Sequence, residues 1–228
     1  MTEFNQEEFN KFVLDNNVVG FFKEPIKLKS GRMSNWYVNW RTPTSDVFLI
    51  DKLTEYVLAF TKDNGLQPDC FYGVPEGATK LGVLTQYKWA KKAENYGNGS
   101  HVLPMGRGKP KEHGAPKDKY FVGQPQGKTI VIEDVTTTGG SLLTTIDALK
   151  EAGIEVIAAF GLTNRMELRD DGKSVKQAVE EKEVPYLALS SGLKLLPKAY
   201  EKLKPGKEIA KAIEEEFEKY GVEKLKLL

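Results

Sequence analysis

The sequence is nearly without cysteine: Cys70 is the only one. No intramolecular disulfide can form, which accords with a reducing, cytoplasmic setting. Also missing is any apolar run near the roughly 18 residues that a membrane-spanning helix needs. Met1 to Asn10 is acidic and has no apolar segment behind a basic one, so no secretory leader is expected. Nor is there an excess of charge of one sign. The 33 Lys and Arg are balanced by 32 Asp and Glu, a formal net charge of +1, and nothing in this balance suggests nucleic acid as a partner. Internal repeats and low-complexity blocks are absent as well. What is present is an ordinary apolar fraction in 228 residues, enough for one sizeable core.

Helical and extended periodicities alternate along the chain. Asn5 to Asn16 reads as a short helix with Phe9, Phe12 and Val13 on one side, and Asn5 with Glu8 fits a capping box. Ile26-Lys27-Leu28 and Trp36-Tyr37-Val38 are strand-like, and the turn residues Ser30 and Gly31 between them predict a hairpin. Ile50, Leu53, Val57 and Phe60 recur at helical spacing within Asp46 to Asn64, and Gly65 closes that helix. Strands are then expected at Cys70 to Val74, His101 to Met105, Thr129 to Ile132, Glu155 to Leu162 and Tyr186 to Leu189. Helices are expected at Ala78 to Ala93, Ser141 to Glu151 and near Ser174 to Lys182. Such alternation implies crossover connections and a parallel sheet. A highly charged last helix, Lys207 to Tyr220, is expected at the periphery. Gly106 to Gln126, rich in Gly, Pro and Lys, fits no element, and an unassigned stretch of that length is usually functional or disordered.

The most informative segment is Val131-Ile132-Glu133-Asp134-Val135-Thr136-Thr137-Thr138-Gly139-Gly140-Ser141. An apolar strand ends in two carboxylates, a run of hydroxyls and glycines follows, and a helix begins. Ligands of open parallel sheets bind at the carboxyl ends of strands. A Gly-rich turn into a helix N-terminus presents unpaired backbone N–H groups and a positive dipole end, which suits a phosphate. Carboxylates beside a phosphate make sense if the phosphate belongs to a sugar: Glu133 and Asp134 can accept from ribose hydroxyls and stabilise positive charge on the ring. A Walker A reading fails, because Gly127-Lys128-Thr129 precedes a strand and has Val122 where the upstream glycine should stand.

Residues 131 to 141 resemble the phosphoribosyl diphosphate signature of type I phosphoribosyltransferases. The resemblance implies an α/β fold: a central, mostly parallel sheet flanked by helices, with a small N-terminal hood that contains a β-hairpin. All 228 residues would form one domain, with hood elements over about 1–45, a core over about 46–195 and a peripheral helix over about 205–222. It also implies donor-binding roles for Glu133, Asp134, Val135, Thr136, Thr137, Thr138, Gly139, Gly140 and Ser141.

Three more segments narrow the resemblance to orotate phosphoribosyltransferases. Lys29-Ser30-Gly31-Arg32-Met33-Ser34, followed by Trp36-Tyr37-Val38, is similar to that family's Lys-Ser-Gly-Arg-x-Ser motif and aromatic strand. It implies that Lys29 reaches the donor and that the backbone near Tyr37 and Val38 meets the orotate ring. Arg107-Gly108-Lys109-Pro110-Lys111-Glu112-His113-Gly114 resembles the family's mobile basic loop, which closes over the diphosphate, typically that of the neighbouring subunit. Arg107, Lys111 and His113 match; Gly108 stands where a second basic residue is frequent, and Lys109 is the candidate replacement. Gly161-Leu162-Thr163-Asn164-Arg165 ends a strand with the arginine that the family pairs with the orotate carboxylate, a match of guanidinium to carboxylate through two parallel hydrogen bonds. Tyr72-Gly73-Val74-Pro75-Glu76-Gly77-Ala78 resembles the family's diphosphate loop, but Glu76 and Gly77 replace the usual aromatic or lysine, and the roles of Glu76 and Lys80 stay open.

The implied chemistry is attack of orotate N1 on C1′ of phosphoribosyl diphosphate, with diphosphate leaving from an oxocarbenium-like ribose. Lys29, Lys111, His113 and Asp134 would act catalytically, and Thr137 would border both donor and base. Mg²⁺ would be held by substrate oxygens and water, with no direct protein ligand. A homodimer sharing the lid follows from the same resemblance. The other readings are a phosphoribosyltransferase for a different nucleobase and a non-catalytic sensor of the donor. Against the sensor stand the set of lid cations and the lack of a nucleic-acid module.

Overall fold

The computed structural model describes residues 3–109, 111–113 and 119–228. Its centre is a sheet of four parallel strands: β3 (Cys70–Gly73), β6 (Thr129–Thr136), β7 (Val156–Asn164) and β8 (Tyr186–Ser191), side by side in that order. Apolar residues pack on both faces, as parallel strands require. Ile130 and Ile132 join one cluster and Val131 the other. The first cluster also takes Phe9, Trp36, Trp40, Leu53, Val57, Leu195 and Phe217. The second is built from Leu142, Ile146 and Leu149 with Val175, Val179 and Tyr186.

Helices α1 (Gln6–Asp15), α2 (Val47–Asp63), α3 (Thr79–Lys91), α4 (Gly140–Glu151), α5 (Val175–Glu180) and α7 (Lys207–Tyr220) match the sequence expectations within a few residues. Asn5 caps α1 by accepting from the Glu7 and Glu8 N–H groups, and Asp46 caps α2. Ser174 and Gln177 close a reciprocal capping box at α5. The hairpin is present as β1 (Val19–Lys27) antiparallel to β2 (Met33–Val38), with β1 starting earlier than expected.

Four expectations change. His101 to Met105 forms only the two-residue β4 (Met105–Gly106), since Pro104 has no N–H to give a ladder. The stretch from Gly106 to Gln126 is partly ordered: β5 (Phe121–Val122) pairs with β4, and the ladder continues through Arg107 N–H to Tyr120 and Lys111 N–H to Lys119. A further helix, α6 (Gly192–Leu203), occupies a region to which no element was assigned, where Pro197 argues against a helix. Finally, α7 is not peripheral. Ile209, Ala210, Ile213, Glu216 and Phe217 are buried, and Phe217 stacks on Trp36 of the hairpin at 6.2 Å. No helix among the described residues is long and apolar enough to cross a membrane.

Candidate active site

The carboxyl end of β6 opens into a cleft with two lobes. One, of about 550 Å³, is lined by Thr137 through Ser141 and faced by Lys29 and Arg107. The other, of about 440 Å³, is lined by Tyr37, Val38, Arg41, Glu76, Asp134 and Arg165. Lys29, Glu133, Val135, Thr137 and Ser141 border both. The carboxyl ends of β6 and β7 supply residues to the cleft, as strand ends in parallel sheets do, and β2 of the hairpin covers them from outside the sheet.

The first lobe is built by backbone. Gly139, at φ 71°, sits in the left-handed region that glycine enters freely, and no side chain caps α4 behind it. The opening N–H groups of α4 therefore lack intrahelical partners and add the positive end of the helix dipole. The space beside Gly140 is open, with no atom within 4 Å of where a Cβ would stand. Arg169 braces the turn by donating to the Thr138 carbonyl, a residue that no sequence motif marks. Lys29 reaches over from the hood and donates to Ser141 Oγ at 2.8 Å. Thr136 departs from its expected role: it ends β6 with its side chain buried, its hydroxyl 2.6 Å from the Tyr186 hydroxyl, and it lines neither lobe.

The acidic pair sits between the lobes. Asp134 Oδ1 accepts from the Val135 N–H at 2.9 Å. Gly77 lies so near that a Cβ there would be 2.3 Å from Asp134 Oδ2. That close approach explains why a glycine, not a larger residue, follows Glu76. Glu133 is buried, which drives its pKa well above the ordinary value of 4.5; the neighbouring Asp134 pushes the same way, and Lys29 pulls back. Glu76 has its Oε1 where a side chain at 108 would go, 2.4 Å from the position of a Cβ on Gly108. The two departures from the family pattern thus occupy one space. Lys80 donates to the Thr44 carbonyl at 3.3 Å and borders neither lobe.

Among the described residues, Arg107 is the one cation of the basic motif that lines the cleft, beside Gly108, and its Nε donates to the Phe121 carbonyl at 3.2 Å. Lys109, Lys111 and His113 are exposed and border neither lobe in this arrangement. Pro110 and Gly114 of the same motif lie outside the described residues.

Arg165 is where the expectation fails in detail. Its guanidinium is 1% exposed. Nε donates to Glu167 at 2.7 Å, Nη1 to the Trp36 carbonyl at 3.2 Å, and Nη2 to Ser34 at 2.9 Å and Glu216 at 2.8 Å. It also stacks on the Trp36 ring at 3.7 Å. A guanidinium has five N–H groups, so a single Nη1 hydrogen remains. Two parallel bonds to a ligand carboxylate need an unoccupied edge, and neither edge here is unoccupied. Glu167 also takes Arg32 at 3.2 Å, and Arg32 reaches Asp170 at 2.6 Å. Sequence reasoning missed Glu167 and Glu216. The available signal was Glu216 itself, a carboxylate on the apolar stripe of α7 between Ile213 and Phe217.

No family model matches the chain. The orotate phosphoribosyltransferase of Bradyrhizobium sp. (strain ORS 278) is 34% identical over 157 residues, 64% of this chain and 78% of that protein. The crystal structure of orotate phosphoribosyltransferase from Francisella tularensis superposes with a TM-score of 0.66 at 21% identity, covering 94% of this chain and 99% of that one. A Mycobacterium tuberculosis H37Rv orotate phosphoribosyltransferase, solved in complex with 5-phospho-alpha-D-ribosyl 1-diphosphate, superposes with a TM-score of 0.53 at 18% identity, covering 83% of this chain and 98% of that one.

Proposed function

The chain belongs to the orotate phosphoribosyltransferase family, and on that premise we propose that it transfers the phosphoribosyl group of phosphoribosyl diphosphate to N1 of orotate, releasing diphosphate and forming orotidine 5′-phosphate for pyrimidine nucleotide synthesis. The observation that carries this reading is the uncapped α4 N-terminus directly after the acidic pair, with a second lobe alongside of a size for a planar base.

The 5′-phosphate sits on the turn from Thr137 to Ser141, where N–H groups and hydroxyls converge. Asp134 and Glu133 face the ribose. As the C1′–O bond to diphosphate breaks, positive charge grows on the ring, and Asp134 stabilises it electrostatically at close range. Negative charge grows on the leaving diphosphate, and Arg107 and Lys29, which line the first lobe, balance it. Closure of the ribbon brings Lys109, Lys111 and His113 onto the same group and expels water, which strengthens each charge interaction. Orotate lies in the second lobe against the backbone of Tyr37 and Val38, with the remaining Arg165 N–H on one of its oxygens. Its N1 needs only to be held as an anion, so no general base is assigned.

Mg²⁺ fits the donor set as a weakly held ion. Among the described residues no group of three His, Cys, Asp or Glu side chains could cage a metal. Hard oxygen ligands from substrate and water would suit magnesium, and Asp134 is the carboxylate that would face it from the second lobe. When bound it neutralises diphosphate charge. The working unit is a homodimer: Val47, Phe48, Leu84 and Tyr87 expose apolar surface along α2 and α3, which a second copy would cover. The lone buried cysteine fits a cytoplasmic setting.

The test is direct. Mixed with phosphoribosyl diphosphate and Mg²⁺, the protein should consume orotate, followed by loss of its ultraviolet absorbance. Turnover of uracil or a purine in place of orotate would reassign the base.

A further inference from the structure

The carboxylate of Glu216, on α7, ties Arg165, which lines the base lobe, to the strand β2 that carries Tyr37 and Val38. Its Oε1 accepts from Arg165 Nη2 at 2.8 Å and its Oε2 accepts from Ser34 Oγ at 2.8 Å. Arg165 ends β7, whereas Ser34 belongs to β2, the strand that carries Tyr37 and Val38. Arg165 Nη2 and Ser34 Oγ are themselves 2.9 Å apart, so three side chains from three elements close a triangle. All three residues are buried. Phe217, next to Glu216, stacks on Trp36, and Trp36 lies under the Arg165 guanidinium.

We propose that Glu216 is a positioning residue for the acceptor base: it holds Arg165 and the β2 backbone in one register, so that the last free Nη1 hydrogen and the Tyr37–Val38 edge meet the same planar ring. The inference rests on the orotate reading and deepens it. A carboxylate suits the task because it accepts from both partners at once and balances Arg165. With Glu167 on the other edge, the guanidinium has two carboxylates and cannot swing toward the cleft. An amide at 216 would keep the shape, lose the charge and turn one acceptor into a donor aimed at one of those partners. The donor lobe shares none of these contacts, because the phosphate turn hangs on β6 and α4.

The experiment compares steady-state KM for the two substrates in Glu216→Gln, Glu216→Asp and Ile213→Val, with Tm measured on each. Glu216→Gln should raise KM for orotate about tenfold, the scale of one weakened charge-assisted bond, and leave KM for phosphoribosyl diphosphate within about twofold. Glu216→Asp keeps the charge and should recover part of the orotate affinity. Ile213→Val, buried on the same helix face, should lower Tm and leave the ratio of the two KM values alone. Equal changes in both KM values in Glu216→Gln, or none, would reduce Glu216 to a packing residue and overturn the proposal. If Glu216→Gln does not fold, Glu216→Asp decides: its orotate KM must rise alone. Wild-type protein that fails to consume orotate sinks the functional reading and this inference with it, whereas normal wild-type turnover with an unsplit variant sinks the inference only.

Discussion

The two lobes of the cleft are made in different ways. The phosphate turn is local: residues contiguous in sequence from Glu133 to Ser141 bend between one strand and one helix, and no side chain caps the opening N–H groups of that helix. The base lobe is non-local: the Arg165 guanidinium is set by Ser34 and Trp36, far earlier in the chain, and by Glu216, far later. A backbone-built site tolerates drift in its surroundings because the turn carries its own geometry. A side-chain-built site depends on every element that packs around it. The cations differ accordingly. Lys29 and Arg107 face the cleft, whereas Arg165 is largely spent on protein.

That contrast can be broken experimentally. Arg165→Ala should have the largest effect, because it leaves Glu167 and Glu216 buried without their counter-charge. A loss of about 3–5 kcal/mol is expected, read as a fall in Tm and in denaturation midpoint, together with weaker orotate binding. An unchanged Tm would mean that the buried ion network is not formed. Asp134→Ala should leave Tm nearly alone and lower kcat about 100-fold, the scale for losing one preorganised electrostatic group at a developing charge. Wild-type kcat in that variant would move the acidic pair out of the chemistry. Lys111→Ala should lower kcat about tenfold with little change in KM, as expected for a group recruited on closure. An unaffected kcat would remove the ribbon from the mechanism.

The smallest effect sharpens the comparison from the side of stability. Burial and Asp134 raise the folded-state pKa of Glu133 above its ordinary 4.5. The folded protein therefore holds the Glu133 proton more tightly than the unfolded chain does. The stability this contributes is full below pH 4.5 and is lost as pH rises through the folded value. Glutamine at this position does not titrate. Glu133→Gln should thus gain in Tm over wild type as pH rises from acid to alkaline, while losing activity. A Tm difference that does not vary with pH would show that Glu133 is not held in a charge-penalising site.

Much of this was legible in the chain. The apolar strand and the uncapped Gly-Gly turn after it were readable because each is a local pattern with one physical outcome. The hairpin bearing Lys29 and Tyr37 was readable for the same reason, through the turn residues Ser30 and Gly31. Less legible was the ribbon at Gly106 to Val122, whose strands are two residues each and leave almost no periodicity. Helix α6 was hidden by Pro197, whose missing N–H lowers helix propensity but whose cost the buried Leu195, Leu196 and Ala199 offset. Thr136 was misjudged because the sequence does not say where β6 ends, and one more strand residue turns a hydroxyl from the cleft into the core.

From the sequence alone follow the parallel α/β arrangement, the Gly-Gly turn into a helix and the candidate anion-binding charges, because short-range periodicity and turn chemistry decide the first two and the family resemblance marks the third. Only the tertiary structure decided which of those charges face the cleft. Whether Arg165 meets a ligand or the protein depends on Glu167 and Glu216, and a guanidinium's partners are chosen by distance in space, to which spacing along the chain gives no guide.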